Sequence, residues 1–371
     1  MHILVTSDTL TGVWTYTREL VTSLVTGGAR VTLVSLGEIP LPQQTTWMDH
    51  LHGLDYRPTA FRLEWMQEGE NDFQESCRYL EALVRELRPD ILHSNQYCYG
   101  ALEVPVPRVV VAHGDLVSWW LAVHGRQPPH SECLAWYRET VAQGLGAADA
   151  VVSPSRWMQE TLRVCYLQPR YERVIHNGRN PIFFNPYVSK EDSILAVGRW
   201  WDKGKQVSLL TEYPQEMPIC IVGSEAPGYR ARTPIRADVK LAMDKISVAF
   251  KGPQTEAQLR ALYSRALIYA ATSCYEPFAM SPLEAAFSRC AIVANDIPTF
   301  REIWGDAAVY FDRNNAESLA QSIRLLRKDR ELCRAYGNRA YQRARERFTA
   351  KRMVDDYLEL YHALRRKAAV A

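Results

Sequence analysis

Several features are missing from this chain of 371 residues. It has no excess of one charge: 44 basic residues stand against 42 acidic ones, a formal net charge of +2. That balance gives no electrostatic case for nucleic acid, and no block of like charge marks an interaction tail. No stretch approaches the roughly 20 apolar residues needed to span a bilayer. The opening MHILVTSDT carries too short an apolar run for a signal peptide and no basic flank, so a cytoplasmic protein is expected. The cysteines (Cys77, Cys98, Cys133, Cys165, Cys220, Cys274, Cys290, Cys333) include no C-x-x-C pair. In a chain this long they read as reduced, mostly buried thiols, neither a disulfide frame nor a zinc site. No D-x-D and no His/Cys ligand set stands out, so no metal is expected. The dinucleotide fingerprint G-x-G-x-x-G is also absent: TLTGVW offers Gly12 alone, and no acidic residue ends the second apolar run, RVTLVSLG, before Glu38. Both absences argue against an NAD-dependent oxidoreductase.

What is present is alternation. HILVTS reads as a strand, Tyr16, Leu20, Leu24 and Val25 mark one face of a helix, Gly27-Gly28 end it, and RVTLVSL is the next strand. Strands joined by such a helix are parallel. The pattern continues with a helix near 70–88, strands DILHS and RVVVAH, a helix near 132–146, strand DAVVS, a helix near 155–166 and strand RVIHNG. RNPIFFNPYVSKEDS has no periodicity and reads as a connector. The βα pattern then restarts at SILAVGR and ends in helix from about 315 to 370. The expected architecture is α/β: two doubly wound parallel-sheet domains, 1–182 and 190–349, with a cleft between them. In such sheets ligands bind beyond the carboxyl ends of the strands.

The residues at those ends carry the chemistry. After LIYAATS comes Tyr275-Glu276-Pro277-Phe278-Ala279-Met280-Ser281-Pro282-Leu283-Glu284. Ser281-Pro-Leu-Glu284 reads as a capping box with Pro at the first helical position, so a helix is expected to start at Ser281, its free N–H groups suited to a phosphate. Glu284 then either closes the cap or meets a ligand; Glu276 either faces the cleft or forms an ion pair. SILAVG ends in Gly198-Arg199, with WWDKGK following. Arg199 with Lys205, or with Lys203, would neutralise a diphosphate; a solvated basic turn is the alternative. His113 ends RVVVAH and either contacts substrate or sits in the core. Gly12 would let a ligand approach the backbone. Asn95, Tyr97, Tyr99, Trp119, Trp120 and His124 follow strand ends, as sugar-stacking platforms or as packing. The basic loop GYRARTPIRADVK, with Arg230, Arg232, Arg236 and Lys240, would meet a phosphorylated or lipid-linked acceptor or be merely solvated.

Together these residues resemble the retaining glycosyltransferases of glycosyltransferase family 4, which have two facing Rossmann-like domains, the GT-B fold. The resemblance covers nearly the whole chain. Its most specific element is E-x7-E, matched by Glu276 to Glu284, with Ala279 standing where the family usually has glycine. It implies that Glu276 holds hydroxyls of the donor sugar and that Glu284 binds the ribose. It also implies that amides from Phe278 through Ala279 and Met280 to Ser281 meet the diphosphate and sugar. The family's G-R step with its lysine matches Gly198-Arg199 and Lys205, its strand-end histidine matches His113, its first-loop glycine Gly12, and its hinge-proximal N-G Asn177-Gly178. TAKRMVDDYLELYHALRRK fits the family's last helix, which returns to the first domain, at about 350–371. The resemblance implies a hexosyltransferase whose donor is a nucleotide diphosphate sugar, UDP-glucose first and GDP-mannose second, with no metal. The acceptor would be a glycan or lipid-linked glycan of bacterial polysaccharide or glycolipid assembly, with peripheral contact at the inner membrane. A sugar phosphorylase is disfavoured by the lack of a lysine suited to pyridoxal phosphate. A non-catalytic sugar-binding protein is disfavoured by Glu276, Arg199, Lys205 and His113 all being present.

Overall fold

β1 (His2–Asp8) runs Ile3, Leu4, Val5 without exposing any of them. A strand with no polar face must be covered on both sides, which is the signature of a parallel sheet flanked by helices. The computed structural model describes residues 1–224 and 248–368 and divides into two units, Met1–Gly178 with Ala350–Ala371, and Arg179–Thr349. The basic loop with Arg230, Arg232, Arg236 and Lys240 lies outside the described residues.

In the first unit β1 is followed by α1 (Val13–Thr26), β2 (Arg30–Leu36), the one-turn α2 (Pro42–Thr45), β3 (Leu54–Pro58), α3 (Gly69–Leu87), β4 (Ile91–Ser94) and β5 (Arg108–Val111). Then come α4 (Leu116–His124), α5 (Glu132–Ala147), β6 (Ala150–Ser153), α6 (Arg156–Cys165) and β7 (Glu172–Val174). The sheet is entirely parallel, in the order β3-β2-β1-β4-β5-β6-β7. β3 is not visible as a strand in the sequence because LDYRP is an edge: partly exposed, with charged residues and a terminal proline. α4 begins where Asp115 accepts hydrogen bonds from the amides of Val117 and Ser118.

In the second unit the order along the chain is β8 (Glu191–Val197), the one-turn α7 (Leu209–Glu212), β9 (Ile219–Val222), β10 (Val248–Lys251), α8 (Glu256–Arg265) and β11 (Ala266–Ala271). It continues through α9 (Met280–Phe287), β12 (Ala291–Asn295), α10 (Pro298–Trp304), β13 (Val309–Phe311), α11 (Ala316–Lys328) and α12 (Arg330–Arg347). Its parallel sheet runs β10-β9-β8-β11-β12-β13. α8 opens on a true capping box, Thr255 with Gln258. The last helix, α13 (Ala350–Ala368), belongs to the first unit: Met353, Tyr357, Leu360 and Tyr361 are buried with Tyr16 and Leu20 of α1 and Ile3 and Val5 of β1.

Each sheet reverses its strand order once, between β1 and β4 in the first unit and between β8 and β11 in the second. At those reversals the flanking crossovers lead to opposite faces, which leaves the carboxyl ends open to a ligand.

Candidate functional site

In the second unit two loops leave the reversal point, 198–205 after β8 and 272–279 after β11. The first is held by Asp202. One carboxylate oxygen accepts from the Gly204 amide at 2.8 Å and the other from the Arg199 guanidinium at 2.8 Å. Burial alone would raise the Asp202 pKa, but the Arg199 hydrogen bond and charge outweigh it and hold the carboxyl below its ordinary value. Arg199 remains partly exposed, its guanidinium 5.2 Å from the Trp201 ring. The turn is packed tightly from behind: a Cβ on Gly223 would come within 1.9 Å of the Gly198 carbonyl oxygen, so only glycine fits there.

The second loop is stitched to the first. The Cys274 amide donates to Gly204 O at 2.9 Å, and Thr272 Oγ1 to Lys205 O at 2.7 Å. Lys205 Nζ then lies 2.5 Å from Glu276 Oε1, which also accepts from Ser273 Oγ at 2.8 Å. Among the described residues, Oε2 of Glu276 takes no hydrogen bond. The sequence treated Glu276 and Lys205 separately; the fold pairs them. Lys203 is exposed and offers only its carbonyl to this region, to Cys274 Sγ.

Glu284 is where the sequence reading needs correction. α9 begins at Met280, not Ser281, and its N-cap is Ala279 at φ 76°, with no side-chain cap. Ser281 is inside the helix, and Glu284 does not close a capping box. Instead Glu284 Oε1 lies 2.9 Å from Nε of Arg179, a guanidinium only 2% exposed that also reaches Glu256 at 3.2 Å. Arg179 follows Asn177-Gly178 directly, and nothing in the sequence marked it. The Phe278 side chain is core, edge-on to Phe348 at 5.5 Å, so this residue meets the loop surface through its backbone. The positive φ of Ala279 explains a glycine preference there, since a Cβ disfavours that conformation. Amides in the first turn of α9 have no intrahelical partner and supply donors at the loop mouth.

In the first unit His113 follows β5 and is held by Asn95, which follows β4: His113 Nε2 lies 2.8 Å from Asn95 Oδ1. Burial pushes the His113 pKa down to about 3, and the neighbouring His93 adds to the shift, so the ring is neutral. The Tyr16 ring meets it edge-on, centroids 4.4 Å apart. Gly12 has an ordinary φ of −61°, and a Cβ there would meet no protein atom within 4 Å. Neither backbone nor packing demands glycine at that point. The acceptor-side candidates change character. Tyr97 and Tyr99 are buried in the core, Tyr97 donating to Gly114 O at 3.2 Å, so they are not exposed platforms. Asn95 is buried and spends its side chain inside the protein. Trp119, Trp120 and His124 lie on a helix, α4. They are half-buried and pack together, with Trp120 and His124 centroids 4.3 Å apart.

The model for glycosyl transferases group 1 matches residues 184–343, and that for Glycosyltransferase Family 4 matches residues 10–182. The alpha-maltose-1-phosphate synthase of Mycolicibacterium smegmatis is 24% identical over 314 residues, covering 73% of this chain and 78% of that protein. The lipopolysaccharide core mannosyltransferase LpcC of Rhizobium leguminosarum bv. viciae is 25% identical over 211 residues, 52% of this chain and 59% of its own. Anabaena HepE, solved in complex with UDP, superposes with a TM-score of 0.74 at 14% identity, covering 98% of this chain and 100% of that one. Two parallel-sheet Rossmann-like units of this kind make up the GT-B fold. The chain belongs to glycosyltransferase family 4, the group 1 glycosyl transferases, and is a transferase enzyme.

Proposed function

We propose that the chain is a retaining hexosyltransferase. It takes a hexose from a nucleoside diphosphate sugar, UDP-glucose first, and passes it to a hydroxyl of a glycan or glycolipid acceptor in bacterial polysaccharide or glycoconjugate synthesis. The observation that carries the reading is the pairing of Lys205 with Glu276 beside Arg199 at the β8/β11 reversal. It gathers two cations and two carboxylates, Glu276 and the Asp202 that holds Arg199, at the strand ends where a ligand of such a sheet binds.

The chemistry follows from those charges. As the C1–oxygen bond of the donor breaks, negative charge builds on the diphosphate. Arg199, Lys205 and the amides of Ala279, Met280 and Ser281 at the start of α9 stabilise it. Glu276 holds the sugar through Oε2 while Oε1 stays tied to Lys205 and Ser273, and its charge favours the oxocarbenium-like ring. The acceptor oxygen attacks C1 from the face the diphosphate leaves, and a departing phosphate oxygen takes the acceptor's proton. Configuration is retained without a protein nucleophile. Glu284, fixed by Arg179, takes the ribose, Gly12 leaves room for the ligand, and His113 bonds a sugar hydroxyl. A mannosyl donor is the second reading, favoured by the mannosyltransferase among the relatives.

A thermal-shift panel of nucleotides tests the proposal. UDP at a hundred times its Kd stabilises the protein by about 2.7 kcal/mol, a rise of roughly 5–10 °C in Tm for a domain of this size. A shift with GDP and none with UDP moves the assignment to the mannosyl donor. No shift with any nucleotide overturns the site. Arg199→Ala, which changes a partly exposed side chain, is expected to lower sugar transfer by about 100-fold or more while the protein still folds and melts cooperatively.

A further inference from the structure

His113 has two ring nitrogens, and which one carries the proton decides whether it offers a donor or an acceptor to a ligand. The surroundings of Asn95 decide it. Asn95 Nδ2 donates to the main-chain carbonyl of Thr6 at 2.7 Å and to Thr17 Oγ1 at 3.2 Å. A carbonyl only accepts, so the amide cannot be turned over without setting two oxygens against each other in a buried place. Thr6 and Thr17 are fully buried, and Asn95 is 7% exposed. Thr17 is itself fixed by Ser7, whose hydroxyl donates to it at 2.8 Å. With Nδ2 committed, Oδ1 is the atom that faces His113 Nε2 at 2.8 Å, and an oxygen there requires a proton on Nε2. The ring being neutral, Nδ1 is left with its lone pair, and among the described residues no group donates to it.

We infer that Asn95 is a positioning residue that locks His113 as the Nε2–H tautomer and so makes Nδ1 an acceptor reserved for a hydroxyl of the bound sugar. This rests on the proposed contact between His113 and substrate and adds to it a direction: the sugar donates, the imidazole accepts. The sequence reading put Asn95 among acceptor contacts; its side chain is instead occupied within the protein and acts through His113. A ligand that presents only an acceptor at this point, such as a deoxyfluoro sugar, is discriminated against.

Two measurements on the full chain test the inference. The first is the tautomer itself, from long-range 1H–15N correlation spectra of histidine-labelled protein, with the His113 signals assigned by their loss in His113→Gln. Wild type shows a protonated Nε2 and an unprotonated Nδ1, and in Asn95→Ala this pattern gives way to a mixture. A protonated Nδ1 in the wild type overturns the inference without any variant having to fold. The second is UDP release from UDP-glucose, or GDP release from GDP-mannose if the nucleotide panel selects it. Asn95→Ala is expected to lower kcat/KM by about tenfold, the size of one mis-set hydrogen bond. If His113→Gln abolishes turnover while Asn95→Ala leaves both turnover and tautomer unchanged, the positioning role is wrong and the role of His113 stands. If His113→Gln has no effect on turnover, the contact proposed for His113 is what fails.

Discussion

At the scale of single residues, two lysines two positions apart separate clearly once folded. Lys205 Nζ is 2.5 Å from Glu276 Oε1, while Lys203 points its side chain into solvent. The difference comes from the Asp202 turn, which aims residue 205 at the loop after β11. Lys205→Ala is therefore expected to lower sugar transfer by about 100-fold, since it removes a cation from the proposed diphosphate site and a partner from Glu276. Lys203→Ala should stay within about threefold of the wild type, as exposed charges contribute little. Equal losses in steady-state rates for the two variants would refute the assignment. Spacing alone could not choose between them, because it names the residues in a turn but not the direction of each side chain. The same limit hid Asp202 and Arg179. A lone aspartate in WWDKGK and a lone arginine after Asn177-Gly178 carry no pattern; their importance arises from what a distant loop or helix brings to them. The positions of Glu276, Arg199 and Lys205 just beyond β8 and β11 were legible because strand ends are legible, and ligands of such sheets bind there.

At the scale of elements, the strands and long helices were legible because their periodicity is strong, and the exceptions have local causes. β3 was lost to its edge character. α4 carries no helix assignment in the sequence because SWWLAVH lacks a polar face; its start depends on the Asp115 cap, visible in hindsight as Asp before an apolar run. The start of α9 was misplaced because Ser-Pro-Leu-Glu matches a capping box so well. The backbone instead turns into the helix one residue earlier, through Ala279 at φ 76°. A positive φ at a residue with a Cβ costs roughly 1–2 kcal/mol, while a glycine adds about 0.4–1 kcal/mol of unfolded-chain entropy. Ala279→Gly should thus be stabilising by less than about 1 kcal/mol, a rise of roughly 2 °C in the melting temperature. A fall in Tm on calorimetry would show that Ala279 is not strained, and that the turn gains more from the buried methyl than it loses.

At the scale of the whole molecule, stability should depend on pH through neutral groups buried in opposite protonation states. His93 is fully buried, its Nδ1 2.6 Å from the Tyr361 hydroxyl of α13, and burial pushes its pKa from 6.5 down to about 3. Between those values only the unfolded chain takes up the proton. The contribution is complete above about pH 6.5 and is lost as pH falls toward 3, at roughly 1.4 kcal/mol per pH unit, or about 2 kcal/mol by pH 5. His113, whose pKa burial also pushes down to about 3, acts in the same direction. Glu64 works the other way. Burial drives its pKa from 4.5 up to about 7, against the hydrogen bond it accepts from the Tyr97 amide at 3.0 Å, and among the described residues its buried second carboxylate oxygen takes no hydrogen bond. Here the folded chain holds the extra proton, so the contribution is present below about pH 4.5 and is lost as pH rises through 7. Between pH 4.5 and 6.5 the histidines and the glutamate oppose each other, which flattens the stability profile. Glu64→Gln keeps an oxygen for the Tyr97 amide and removes the titration. Urea midpoints should then show the variant more stable than the wild type by up to about 3 kcal/mol at pH 8 and no more stable at pH 4.5. The acid-side loss due to His93 would stand out unopposed. A gain of equal size at both pH values would mean that Glu64 is not held protonated by the fold, and that its burial costs the protein nothing that titrates.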